Sequence, residues 1–170
     1  NEASRRALLE AAAKADRGGV FLACALALPT AFSASDPGPA LACLRELLNL
    51  KGLSSGVEAQ LALAAAELAV DVEEKVLFAR RAVAVAREER IRQKALYELG
   101  KQLCTNPLTL EEGVSFLNQA VTLNPSTKLA PEIQFKIAEI LHASSDSQAA
   151  LNAYNRYLES YDRSEERRVG

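Results

Sequence analysis

Four positions, Leu47, Ala82, Ala120 and Tyr157, lie 35, 38 and 37 residues apart. Each closes a similar small-and-large motif on what reads as the second helix of a helical hairpin. Self-similarity at such a period is the signature of a stacked array, in which no unit can bury its apolar face without its neighbours. The spacing extends back to Ala12, 35 residues before Leu47. The expected fold class is therefore all-α, an antiparallel helix-hairpin solenoid of about four hairpins preceded by an orphan N-terminal helix. Composition agrees with helices: Ala and Leu dominate, aromatics are 5%, and no stretch alternates apolar and polar residues over a strand length.

The last eight residues, 163–170, read Arg-Ser-Glu-Glu-Arg-Arg-Val-Gly. The codons AGA TCG GAA GAG CGT CGT GTA GGG, the sense of a widely used sequencing adapter, encode that string in order. This segment is expected to be an adapter-derived tail and is set aside from fold reasoning. The expected array therefore spans 1–162. With Asn rather than Met at position 1, that array reads as an internal fragment of a longer protein. Removing the tail leaves 17 Lys+Arg against 20 Asp+Glu, a formal charge of −3. Nucleic-acid binders carry a basic excess for phosphate contacts, so no nucleic-acid partner is expected.

The fourth hairpin is the clearest. Ile137, Ala138 and Leu141 fall on its first helix, and Ala150, Tyr154, Tyr157 and Leu158 on its second. Small residues midway along each helix let two backbones approach, while large residues one turn on fill the space between hairpins. Ser144-Ser145-Asp146-Ser147 supplies the turn and a capping side chain. The third hairpin repeats the theme with Leu96, Leu99, Gly100 and Leu103, then Gly113, Leu117 and Ala120, closing at Pro125; Pro107 lies in its turn and Pro131 opens the next helix. The second is expected at 61–68 and 72–87, and the first at 20–28 and 39–50 with a long turn over 29–38. The orphan helix is expected at 3–15.

These residues are spaced as tetratricopeptide repeats space their Leu-Gly, Tyr, Ala, Phe and Ala, so 1–162 resembles a tetratricopeptide array, most closely over 93–162. The resemblance implies a non-enzymatic scaffold that presents a concave groove, lined by first helices, to a peptide or partner protein. Carried onto this chain, the groove residues are Lys94, Tyr97, Glu98 and Lys101, then Glu132, Phe135, Lys136 and Glu139. No Asn occurs on these faces, which argues against the carboxylate clamp of co-chaperone relatives. Within the superfamily, Glu74-Lys75-Val76-Leu77-Phe78-Ala79-Arg80-Arg81-Ala82 and the lengthened later repeat resemble the plant No Pollen Germination proteins and their animal relative, tetratricopeptide repeat protein 7. That implies a scaffold of a plasma-membrane lipid-kinase complex, with calmodulin binding in plants.

Other chemistry is weighed against plainer readings. The basic stretch 75–94, with Phe78 and Ile91 as apolar brackets, suits a calmodulin site; the plainer account is two solvated helix faces broken by a turn at 87–90. A third possibility is an accessory domain of an enzyme whose catalytic part lies elsewhere. His142 is the only histidine, so no Ser/His/Asp or Cys/His set can be assembled around a second one. Glu73-Glu74, Glu88-Glu89 and Glu111-Glu112 fall at helix starts, where they favour the dipole. Gly18-Gly19 and 52–56 read as turns, and no cofactor or metal is expected. Cys24, Cys43 and Cys104 read as reduced core residues of a cytoplasmic protein. The uncharged run 18–35 resembles a signal-peptide core; the repeat phase running through it favours a buried helix, with no insertion into a membrane.

Overall fold

The computed structural model describes residues 37–162 together with Glu10, Lys14 and Leu22. Its helices are α1 (Gly38–Leu48), α2 (Ser55–Leu68), α3 (Val72–Val85), α4 (Glu89–Leu103), α5 (Leu110–Leu123), α6 (Leu129–Ala143) and α7 (Ser147–Tyr157). A 3-10 turn, Pro107–Thr109, precedes α5, and a π-helical turn, Leu158–Asp162, follows α7. The described chain is all-α, with no strand among the described residues. It forms two compact units, Asn1–Ala95 and Leu96–Gly170, whose boundary falls within α4. Apart from Glu10, Lys14 and Leu22, the expected orphan helix at 3–15, the helix at 20–28, the Gly18-Gly19 turn, Cys24 and the run 18–35 lie outside the described residues, as does the tail 163–170.

In the first unit α2 packs on both α1 and α3. Its sequence shows why: Ala59, Leu61, Ala62, Leu63, Ala65 and Ala66 are all buried, an apolar surface too broad for one neighbour to cover. Alanine has high helix propensity and no bulk, so α2 can serve two interfaces at close range. Each start is set locally. Ser54 Oγ accepts from the Val57 amide at 3.3 Å and Asp71 Oδ2 from the Glu74 amide at 2.9 Å, satisfying amides that the helices leave orphaned. Two helix ends are completed from a distance. Arg81 donates to the Leu48 carbonyl at the end of α1 (2.6 Å) and to Glu58 (2.8 Å), and Arg92 donates to the Val83 carbonyl in the last turn of α3 (3.2 Å). A guanidinium suits these places because the final carbonyls carry partial negative charge.

The second unit is built on close backbone approach. A Cβ placed on Gly113 would lie 2.8 Å from the Gly100 carbonyl oxygen and 2.8 Å from the Cys104 nitrogen. No side chain fits there without displacing backbone. Leu117 and Ala120 complete the buried stripe of α5. α6 packs against α5 and α7, with Ile133, Ile137 and Ala138 facing Ala150 and Ala153 across a short turn. Asp146 caps α7 by accepting from the Ala149 amide at 2.9 Å. Ser145 sits at φ 65°, the left-handed region that glycine fills without strain. Ser145→Gly is therefore expected to raise the unfolding free energy by about 0.5 kcal/mol, relief of strain exceeding the added freedom of the unfolded chain. Equilibrium urea denaturation would measure it.

Several expected boundaries move. The first helix of the second hairpin starts at Ser55, so Gly56 lies in a helical turn, while Gly52 holds a positive φ, 83°. α3 ends at Val85 instead of position 87, because Ala86, Arg87 and Glu88 leave the helix, and this break precedes the one expected over 87–90. α6 begins at Leu129, which leaves Pro131 within the first turn, where its missing amide has no intrahelical partner to lose.

Candidate interaction surfaces

On α6 of the second unit, Phe135 stands 42% exposed although it is held from two sides. Its ring lies 5.8 Å from Tyr154 at 66° and 5.6 Å from Tyr157 at 64°, edge-on arrangements that aromatic quadrupoles favour. Tyr161 continues the row, 5.6 Å from Tyr157. Residues 154, 157 and 161 are spaced three and four apart, so the helical period alone could have shown that they share a face. Sequence reasoning instead placed Tyr154 and Tyr157 in the packing motif. Leu158, half exposed, follows directly. Beside this patch Lys136 pairs with Glu139 at 3.0 Å.

The other expected groove residues of this unit form a hydrogen-bonded cluster, in which Glu132 is exposed and Lys101 half-buried. Tyr97 and Glu98 are each only 8% exposed, so neither side chain is the open surface expected of it. The Tyr97 hydroxyl donates to Glu132 at 2.8 Å. Lys101 donates to Glu98 at 2.9 Å, and its ammonium lies 5.3 Å from the Tyr97 ring centre. Burial, and then the hydrogen bond to Glu132, push the Tyr97 phenol far above its ordinary range. This cluster ties α4 to α6 within the second unit.

Lys94 belongs to the first unit, where its ammonium lies 2.6 Å from Glu67 of α2. The pair lines a cleft of about 570 Å³, with Leu63, Ala64, Leu68 and Ile91 as apolar lining and Glu88 and Arg90 as further charged lining. Two further arginines of the basic stretch have structural tasks. Phe78 is buried at 7% exposure, and Arg81 and Arg92 complete helix ends. A calmodulin complex on 75–94 would require α3 and the start of α4 to leave the fold, at the cost of exposing Phe78, Ala79 and Ala82.

The remaining candidates have plain settings. Glu73, Glu74, Glu89, Glu111 and Glu112 occupy first helical turns, and Glu74 also pairs with Arg45. His142 is exposed in the last turn of α6. Among the described residues, no group of three His, Cys, Asp or Glu could hold a metal ion, and no helix is long and apolar enough to cross a membrane. Cys43 and Cys104 are free thiols, and both are half-buried instead of deep in the core. Cys104 lies just beyond α4, its thiol donating to the Leu110 carbonyl at 3.8 Å.

Burial pushes the Cys104 thiol up to about 11. Because the thiolate is the nucleophile, alkylation of Cys104 by iodoacetamide at mildly alkaline pH is expected to be at least roughly tenfold slower in the folded than in the urea-unfolded chain. Peptide mass spectrometry reads the rate at that residue. The unfolded thiol ionises first as pH rises, so this burial stabilises the fold below the ordinary thiol pKa, and the contribution is lost as pH climbs toward about 11.

The chain matches no known family, no characterised protein and no solved structure at a significant level.

Proposed function

We propose that the chain is a tetratricopeptide-like helical array acting as a non-enzymatic protein-interaction scaffold, with first helices presenting a concave surface to a partner protein. Three features support the array: the spacing of 35 to 38 residues, the pairing of consecutive helices across short turns, and small residues where helices cross. Ala79 and Ala82, Gly113 and Ala120, and Ala138 and Ala150 fill the small-residue role, and all are buried. The observation that carries the function is Phe135. An aromatic ring held by two tyrosines yet 42% exposed, with a Lys–Glu pair beside it, has the composition of an interface anchor and a polar rim.

Affinity capture with the full chain tests the reading. Recovery of a partner is expected to fall at least roughly fivefold on Phe135→Ala, with the fold retained and the melting temperature lowered modestly by loss of the two ring contacts. Recovery unchanged by both Phe135→Ala and Lys136→Glu would remove this surface as the binding face.

A further inference from the structure

A second cleft of the first unit, of about 440 Å³, lies where the start of α2 meets the end of α3. Its lining is Ser55, Ala84, Val85, Ala86, Arg87 and Arg92, so it holds two guanidiniums and no carboxylate. The acidic residues that follow Arg87 in sequence are placed elsewhere: Glu88 lines the larger cleft and Glu89 begins α4. Arg87 is exposed in the turn between α3 and α4 and makes no hydrogen bond or ion pair among the described residues. Arg92 is only half committed. It donates to the Val83 carbonyl at 3.2 Å and to the Ala86 carbonyl at 3.4 Å, both through Nη1. Those contacts answer carbonyls that would otherwise disfavour an anion, while Nε and Nη2, the edge that can grip two oxygens at once, have no partner among the described residues.

We propose that this cleft binds a phosphate monoester, held by Arg87 and by the Nε and Nη2 edge of Arg92, with the Ser55 hydroxyl as a further donor. Charge decides the class of ligand. Two guanidiniums without a carboxylate match a group that carries close to two negative charges at neutral pH and presents three terminal oxygens. A carboxylate brings one charge and two oxygens, and would leave one arginine unanswered. A nucleic-acid backbone brings one charge per phosphate in a continuing row, which a chain with more acidic than basic residues repels. Phosphoserine on a polypeptide and free phosphate share this chemistry, and the experiment separates them. The site belongs to the first unit and does not use Phe135, so it stands or falls independently of the protein-binding reading.

The test is a heteronuclear NMR titration of the full chain at constant ionic strength. The probes are inorganic phosphate, a blocked Gly-phosphoserine-Gly tripeptide, the same tripeptide with unmodified Ser, and its Asp analogue. Shifts are expected at the Ser55 and Gly56 amides and at the Arg92 Nε proton. At least one of the two phosphates is expected to bind roughly tenfold or more tightly than the Ser and Asp tripeptides. Tighter binding of the phosphoserine tripeptide than of inorganic phosphate assigns the ligand to a polypeptide; the reverse assigns it to free phosphate. Arg87→Gln is expected to weaken the better-bound phosphate at least roughly fivefold. Arg90→Gln, the same change outside this cleft, is expected to weaken it less than about twofold, since salt screens the more distant charge. Arg87 has no partner in the fold, so Arg87→Gln should melt with wild type and lost binding could not be ascribed to unfolding. Equal binding of the Asp and phosphoserine tripeptides with no tighter binding of inorganic phosphate, equal losses in the two variants, or no shift at Ser55 with either phosphate would overturn the assignment.

Discussion

Gly113→Ala is expected to destabilise the second unit by about 2 kcal/mol, against the usual benefit of replacing a helical glycine. The added Cβ would lie 2.5 Å from Cys104 Sγ and 2.8 Å from both the Cys104 nitrogen and the Gly100 carbonyl oxygen. The sulfur could rotate away; two backbone atoms cannot move without separating α4 from α5. Gly56→Ala is the matched control, for in the first turn of α2 a Cβ meets nothing within 4 Å. There the propensity term acts alone, and a gain of up to about 1 kcal/mol is expected. Urea denaturation of the two variants should therefore shift in opposite directions. A neutral or stabilising Gly113→Ala would show that α4 and α5 do not approach at these glycines.

Leu61→Ala is expected to cost about 2–5 kcal/mol, the largest effect of any single substitution considered. Leu61 is fully buried in α2, the helix that packs on both α1 and α3, so truncation removes contacts that neither neighbour can readily recover. Leu108→Ala, the same chemical change at a side chain 93% exposed in the 3-10 turn, is expected to stay within about 0.5 kcal/mol of wild type. Equal effects at the two sites would contradict the placement of α2 at the centre of the first unit.

Much of the helical framework was legible from local chemistry. Asp71 and Asp146 cap helices three residues before the amides they accept from, a relation contained in the chain's own short-range order. Buried Ala82, Ala120, Ala138 and Ala150 were readable as packing positions because the helical period returns them to one face. The candidate surface was less legible. Tyr97 and Phe135 looked alike as aromatics on first helices, yet Tyr97 is buried against Glu132 and Phe135 remains exposed. The basic run 75–94 could be read as one binding patch or as two solvated helix faces, and neither reading contains the commitment of Arg81 to a carbonyl 33 residues away.

By itself the sequence determined that the described chain is helical, roughly where its helices start and stop, and which small residues lie where helices cross. Propensity, capping and periodicity act over three or four residues and need no distant partner. Only the tertiary structure decided which polar and aromatic side chains are available to solvent. Availability depends on neighbours that the fold brings together from 23 to 35 residues away, as for Arg81 with Glu58 and Tyr97 with Glu132. A side chain whose charge or hydroxyl is already answered across such a distance has little left to offer a partner, whereas the Phe135 ring stays 42% exposed.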